Sequence, residues 1–237
     1  MVNSKRTRHV KNRRINPLEI PNYTIEESAR YLHVSQNTLW YWVVGDRGAA
    51  PLTTLYSRRP LLLSFKNLVE CFVLESLRNA HGLSIKSIRP SVEDLRRIRS
   101  SKYPLADYQI ATRRGRIYLD DDPESLVILN SNGQRAFKPI LDPFLRRVDR
   151  NTQGISSRLF PFTRAAYQKK PETAPSVVVI DPLVAFGKPV LVGSRLSTAF
   201  LLSRKRSGAS IEQLADDYGR SKDEIKEAIS LEESAAA

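Results

Sequence analysis

The chain has 237 residues, 41% of them hydrophobic and 27% charged, with a formal net charge of +13. That is enough apolar content for one large core or two or three small ones, and no apolar run approaches the roughly 20 residues of a membrane span. The single cysteine, Cys71, excludes internal disulfides and thiolate metal clusters and fits a reducing cytoplasm, while the basic excess suits a phosphate-bearing partner.

The charge is uneven along the chain. Residues 1–110 carry 18 basic and 9 acidic side chains, whereas residues 207–237 carry 3 and 8. Residues 1–21 begin with Lys5, Arg6, Arg8, Lys11, Arg13 and Arg14 and no acid among them, and read as a basic flexible arm. Such an arm can follow a phosphate backbone or a minor groove, or can remain a solvated tail. No apolar core follows these charges, so the stretch does not read as a secretory signal.

Residues 22–104 read as one unit. Thr24 with Glu27 makes a capping box for a helix over Ile25 to Leu32, and Ser35 caps a second helix from Gln36. His33 and Val34 leave room for only a tight corner between them. Ala29, Leu32, Val34, Leu39 and Trp42 fall where the two helices press together, and Gln36, Asn37, Thr38 and Tyr41 are left facing out. Amide and hydroxyl side chains at the start of the second helix are what a helix-turn-helix offers to base edges in the major groove. The alternative is an ordinary two-helix corner with a solvated polar face. Pro51 to Leu63 has the content of a short hairpin, a wing with Arg58 and Arg59 near its tip to grip phosphate. Ser64 caps a helix over Phe65 to Asn79 with an apolar stripe that buries Cys71. Gly82 stops it, and Ser84 and Ser91 each start a further short helix.

This order of elements resembles the N-terminal domain of the mercuric-resistance-regulator (MerR) family. The resemblance rests on Tyr23-Thr24-Ile25 with Ala29, on Ser35, Leu39, Tyr41 and Trp42, and on Gly82-Leu83-Ser84. It covers about Tyr23 to Arg97 and implies a winged helix-turn-helix. Trp40 stands where the family usually has Arg, and no long heptad helix or Cys-rich effector loop follows, so metal or drug sensing is not implied.

Residues 105–167 change texture. Gln109 to Leu119 and Ser125 to Phe137 alternate apolar and polar residues around Arg114-Gly115 and Asn132-Gly133, which predicts a small central antiparallel sheet. Ile140 to Val148 reads as a helix and Ile155 to Phe162 as another strand. Asp120-Asp121-Asp122 is a solvated turn rather than a metal site, because consecutive side chains diverge. Residues 168–176 are polar and Pro-containing, a linker.

Residues 177–237 read as a compact helical module. Val177 to Ile180 and Pro189 to Val192 are short strands, and three helices follow. Gly208 ends the first, Ser210 with Gln213 boxes the second, Gly219 ends it, and Ser221 with Glu224 boxes the third. The shape is again that of a helix-turn-helix, but Asp216, Asp217, Asp223, Glu224, Glu227, Glu232 and Glu233 are expected on its surface, and phosphate would be repelled. An acidic helical face suits a basic protein surface or simply solvent.

Within this module, Ile180-Asp181-Pro182, Gly187-Lys188-Pro189, Gly193-Ser194-Arg195-Leu196 and Gly208-Ala209-Ser210 resemble a small domain of unknown function found in many bacterial antitoxins. Phe186 stands where glycine is usual and Ser194 where threonine is common. A MerR-like reader joined to that domain is similar to the larger VapB-type antitoxins. That resemblance implies operator DNA and a PIN-like ribonuclease toxin as partners, and a cytoplasmic homodimer as the working form. The residues expected to carry it are Gln36, Asn37, Thr38, Tyr41, Arg58 and Arg59 toward DNA, and Lys188, Arg195, Asp217, Asp223, Glu224 and Glu227 toward the protein partner. A stand-alone MerR-like transcription regulator is the alternative. An enzyme is not expected, since His9, His33 and His81 are scattered and no phosphate loop or paired carboxylate motif occurs; no cofactor or metal is implied. The expected fold class is α+β, mostly α.

Overall fold

The structure, a computed structural model, describes residues 16–46, 48–55, 57–81, 83–107, 110–113, 116–119 and 142–234. The basic residues of the arm before position 16, the Asn132-Gly133 turn with its flanking strands, and Asp120 to Asp122 lie outside these residues. The fold is α+β and dominated by helices, with small two-stranded antiparallel sheets.

The last part of the arm is already anchored. Asn16 caps a 3-10 turn over Pro17–Glu19, and Glu19 bridges to Lys66 at 3.1 Å. Helix α1 (Ile25–Leu32) opens with the Thr24/Glu27 box and closes on His33, whose φ of 52° turns the chain sharply. Helix α2 (Gln36–Val44) starts at the Ser35 cap. The hairpin expected as a wing is formed by β1 (Ser57–Arg58) paired with β2 (Leu61–Leu62), with a cis Arg59-Pro60 bond between them. Helix α3 (Phe65–His81) is the axis of the molecule: Phe65, Leu68, Val69, Cys71, Val73, Leu74 and Leu77 are all essentially inaccessible.

Ser84 caps a single helix, α4 (Ile85–Ile98), where two short ones separated at Ser91 are expected. Pro90 sits inside it. A proline costs a helix interior about 3 kcal/mol in lost bonding and a clash with the preceding turn. Ile88, Val92 and Leu95, all buried on one stripe within the common core, outweigh that local penalty. Helix α5 (Pro104–Asp107) follows, then the hairpin of β3 (Ile110–Arg113) and β4 (Arg116–Leu119), in the register expected around Arg114-Gly115.

The helix expected over Ile140 to Val148 shrinks to α6 (Asp142–Leu145), and Val148 instead opens β5 (Val148–Arg150), paired with β6 (Ser156–Leu159). The reason is a turn that apolar periodicity does not report. Asn151 Oδ1 accepts from the N–H groups of Gln153 and Ile155, and Gly154 takes φ +77°. Among the described residues the central region therefore holds two separate hairpins. The second is joined to the C-terminal module by a bridge, Leu159 to Ile180, with both N–H···O bonds made at 3.0 and 2.8 Å.

Residues 168–176 continue two 3-10 turns, Ala165–Lys169 and Pro171–Thr173, and are held at both ends. Gln168 donates to the Leu32 carbonyl, and the buried Arg147 guanidinium donates to the carbonyls of Ala174 and Pro175. Beyond lie β7 (Val178–Val179) and β8 (Val190–Leu191), then α7 (Thr198–Arg206), α8 (Ile211–Tyr218) and α9 (Lys222–Glu233). Both expected capping boxes are formed, and Gly219 makes a left-handed end to α8. One contiguous set of buried side chains runs from Tyr23, just before α1, to Leu231 in α9.

Candidate functional site

The exposed start of α2 is the first candidate surface. Leu39, Trp42 and Val43 are buried and fix the helix, leaving Gln36 and Asn37 open to solvent with no side-chain bond of their own among the described residues. Thr38 and Tyr41, expected fully outward, are only partly so. The Thr38 hydroxyl accepts from Ser35 Oγ at 2.8 Å, which spends it on the cap. Tyr41 lies under Arg89, whose guanidinium carbon is 5.9 Å from the ring centroid, while another arm of that guanidinium donates to the Ala50 carbonyl. The side chain that stands out instead is Trp40, 50% exposed. Helical spacing places Trp40 one turn after Gln36 and Asn37, so the sequence carried that signal; Arg89 is brought in by α4 and carried none. In the wing, Arg58 is in β1 and the exposed Arg59 lies in the turn beside it. Gln36, Asn37 and Trp40 thus stand exposed on one face of α2, whose other face is fixed by the burial of Leu39, Trp42 and Val43.

The residues expected toward a protein partner separate into two groups. Lys188 and Glu227 are occupied within the chain. Lys188 Nζ sits 2.7 Å from Glu27 of α1 and 5.7 Å from the centre of the Tyr23 ring. Burial alone would raise the Glu27 carboxyl, but the Lys188 ammonium and the Thr24 donors outweigh it and hold it below the usual range. Glu227, expected on the acidic surface, is buried: it pairs with Arg164 at 2.9 Å and accepts from the Thr163 and Tyr167 hydroxyls. Glu232 is also buried, between Arg30 of α1 at 3.1 Å and Thr198 at 2.5 Å. The reason is tertiary. Helix α9 lies against α1 and against the segment after β6, and these supply arginines that a reading of α9 alone does not contain.

The rest of the set stays outside. Asp217 and Asp223 are exposed, with Arg204 at 3.7 Å and Lys226 at 3.4 Å respectively. Glu224 is half-buried, completing its capping box and contacting Arg220 at 3.3 Å. Arg195 is exposed on the turn after β8.

The 3-10 turn before β8, Ala185–Gly187, docks the C-terminal module onto the N-terminal unit, and the segment after β6 adds a further contact. The Tyr23 hydroxyl donates to the Gly187 carbonyl at 2.8 Å, Asn22 donates to the Phe186 carbonyl, and His33 Nε2 lies 2.7 Å from the Phe162 carbonyl. Gly187 has φ +75°, and a Cβ there would fall 2.6 Å from the Tyr23 hydroxyl. A side chain is thereby excluded by close approach as well as by backbone angle. Burial pushes the Tyr23 phenol well above its ordinary range and His33 below its own, so both act as neutral hydrogen-bonding groups. Among the described residues no group of three or more His, Cys, Asp or Glu could hold a metal ion, and no helix is long and apolar enough to cross a membrane.

Residues 178–230 match the family described as a protein of unknown function, DUF433. Over 234 residues the chain is 26% identical to "Putative antitoxin VapB45" of Mycobacterium tuberculosis (strain ATCC 25618 / H37Rv), which covers 89% of this chain and 93% of that protein. The crystal structure of Rv2018 from Mycobacterium tuberculosis superposes with a TM-score of 0.64 at 26% identity, covering 90% of this chain and 99% of that one. The similarity therefore runs along most of the chain and is not confined to the C-terminal module.

Proposed function

We propose that this chain is the antitoxin of a type II toxin-antitoxin pair, acting by binding and without chemistry of its own. In this reading residues 22–104 hold operator DNA as a homodimer, with Gln36 and Asn37 at base edges and Arg58 and Arg59 on phosphate. Residues 177–237 hold a PIN-like ribonuclease toxin inactive, using Arg195, Asp217 and Asp223. Lys188 and Glu227 serve the contact between module and reader instead. The observation that carries the reading is similarity to a protein named an antitoxin along nearly the whole chain, reader and module included.

Physical support comes from the surface of α2, where two unengaged amides stand in solvent at the helix start, an arrangement suited to direct readout. The test is titration of a labelled duplex taken from upstream of the chain's own gene. For 6 to 10 phosphate contacts, affinity is expected to drop by about 10³ to 10⁵ between 50 and 200 mM salt. Binding that ignores salt removes the DNA half of the proposal. Ribonuclease activity undiminished by a stoichiometric amount of the full chain removes the other half.

A further inference from the structure

Between the end of β6 and the turn after β8 lies a groove of about 510 Å³, within the size range of binding clefts. Its floor is apolar, built from Val179 and Val190, and Val192, 38% exposed, forms a wall. Two guanidiniums line it. Arg158 is already engaged, its Nε 3.0 Å from Asp181, whose other oxygen accepts from the Leu183 N–H. Arg195 is exposed and makes no ion pair among the described residues.

The loop that carries Arg195 is stiff. Leu191 and Leu196 close it through an N–H···O bond of 2.9 Å, Ser194 Oγ donates to the Leu191 carbonyl at 2.8 Å, and Arg220 ties the Val192 carbonyl from α9's start at 3.1 Å. Arg195 is thus carried at the rim of an apolar trough on an ordered backbone, so that on binding only its side chain is left to order.

We propose that this groove seats an extended segment of the protein partner in which one acidic side chain stands beside aliphatic ones, its carboxylate on Arg195 and its aliphatic neighbours over Val179, Val190 and Val192. Charge complementarity selects the occupant. One unpaired guanidinium beside a valine floor calls for a carboxylate on an apolar body, and a guanidinium fork matches a carboxylate bidentately. A nucleic-acid backbone, fully charged and without aliphatic side chains, gains nothing from the valines. The inference rests on the antitoxin reading and gives the partner's contact a location in it.

The test uses the full chain and, as probe, the purified ribonuclease encoded by the adjoining reading frame. Both substitutions are at exposed positions: Arg195→Glu and, separately, Val192→Asp. Each is expected to weaken ribonuclease binding by about 10- to 100-fold, the range for opposing a close interfacial charge pair, with operator binding and thermal melting unchanged. Arg195→Lys retains part of the affinity. If the wild-type chain binds the ribonuclease and both variants bind it as tightly, the groove proposal is overturned and the antitoxin reading stands. If Arg195→Glu weakens operator binding and spares the ribonuclease, the groove serves phosphate and the proposal is equally overturned. A wild-type chain that binds no ribonuclease overturns both.

Discussion

The corner between α1 and α2 and the corner between α8 and α9 are built from the same parts. Each first helix has a capping box, Thr24 with Glu27 and Ser210 with Gln213. Each ends on one left-handed residue, His33 at φ 52°, ψ 43° and Gly219 at φ 60°, ψ 42°, and each second helix starts on a serine cap two residues later. They differ in what the second helix meets. Helix α2 keeps Gln36 and Asn37 in solvent, whereas α9 turns Glu227 and Glu232 inward onto arginines contributed from elsewhere in the chain. A shared local geometry therefore says nothing about use: one corner keeps the polar start of its second helix in solvent and the other is partly spent on holding the molecule together.

The sharpest way to break this contrast is Arg30→Ala. Removing one partner of a buried pair costs about 3–5 kcal/mol, and since Arg30 retains 21% exposure about 3 kcal/mol is expected here. Denaturant unfolding measures it, and a loss under about 1 kcal/mol means that α9 is not held to α1 through Glu232. Asn37→Ala addresses the other corner. It is expected to leave stability untouched and to reduce discrimination between operator and scrambled duplex by about 1–3 kcal/mol, read as a ratio of dissociation constants.

A third measurement compares how the two regions bury acids. Glu227 and Glu232 have arginine partners, but Glu70 of α3 is fully buried with only the Thr53 hydroxyl and the Leu105 N–H as donors, the latter at 3.2 Å. Burial pushes its carboxyl from 4.5 up to about 8 against the pull of those donors. The folded chain then keeps a proton that the unfolded chain releases at about 4.5. Glu70 therefore favours folding at low pH, and this contribution is lost as pH rises toward 8, by up to about 1.4 kcal/mol per pH unit. The difference in stability between wild type and Glu70→Gln, followed across that window, should show the slope; a constant difference would mean that Glu70 is ionised throughout. The smallest effect separates the caps. Thr24→Ala and Ser210→Ala should each cost about 1 kcal/mol, and the Thr24 change should cost more, because it also loosens Glu27 from its contact with Lys188.

Local chemistry announced much of this molecule. Thr24, Ser35, Ser64, Ser84, Ser210 and Ser221 stand at helix starts in the chain as in the fold, because a cap needs only a side-chain oxygen and an N–H two or three residues on. The exposed amides of α2 were likewise legible, since helical spacing and the burial of Leu39 and Trp42 leave Gln36 and Asn37 one place to go. Where distant parts of the chain decide, the sequence was silent or misleading. Ser91 reads as the start of a new helix, yet the packing of Ile88, Val92 and Leu95 carries one helix through Pro90 and Ser91.

Lys188, Glu227 and Glu232 looked like surface charges because their partners, Glu27, Arg164 and Arg30, lie 161, 63 and more than 200 positions away, at separations that periodicity and capping rules do not span. Caps, corners and amphipathic stripes were written in neighbouring residues, where each interaction is closed within a turn or two of backbone. Which of the α9 carboxylates stayed exposed was settled only by tertiary packing, when α9 came to rest on α1 and beside Arg164, because there an arginine from a distant position offsets the cost of burying Glu232 and Glu227.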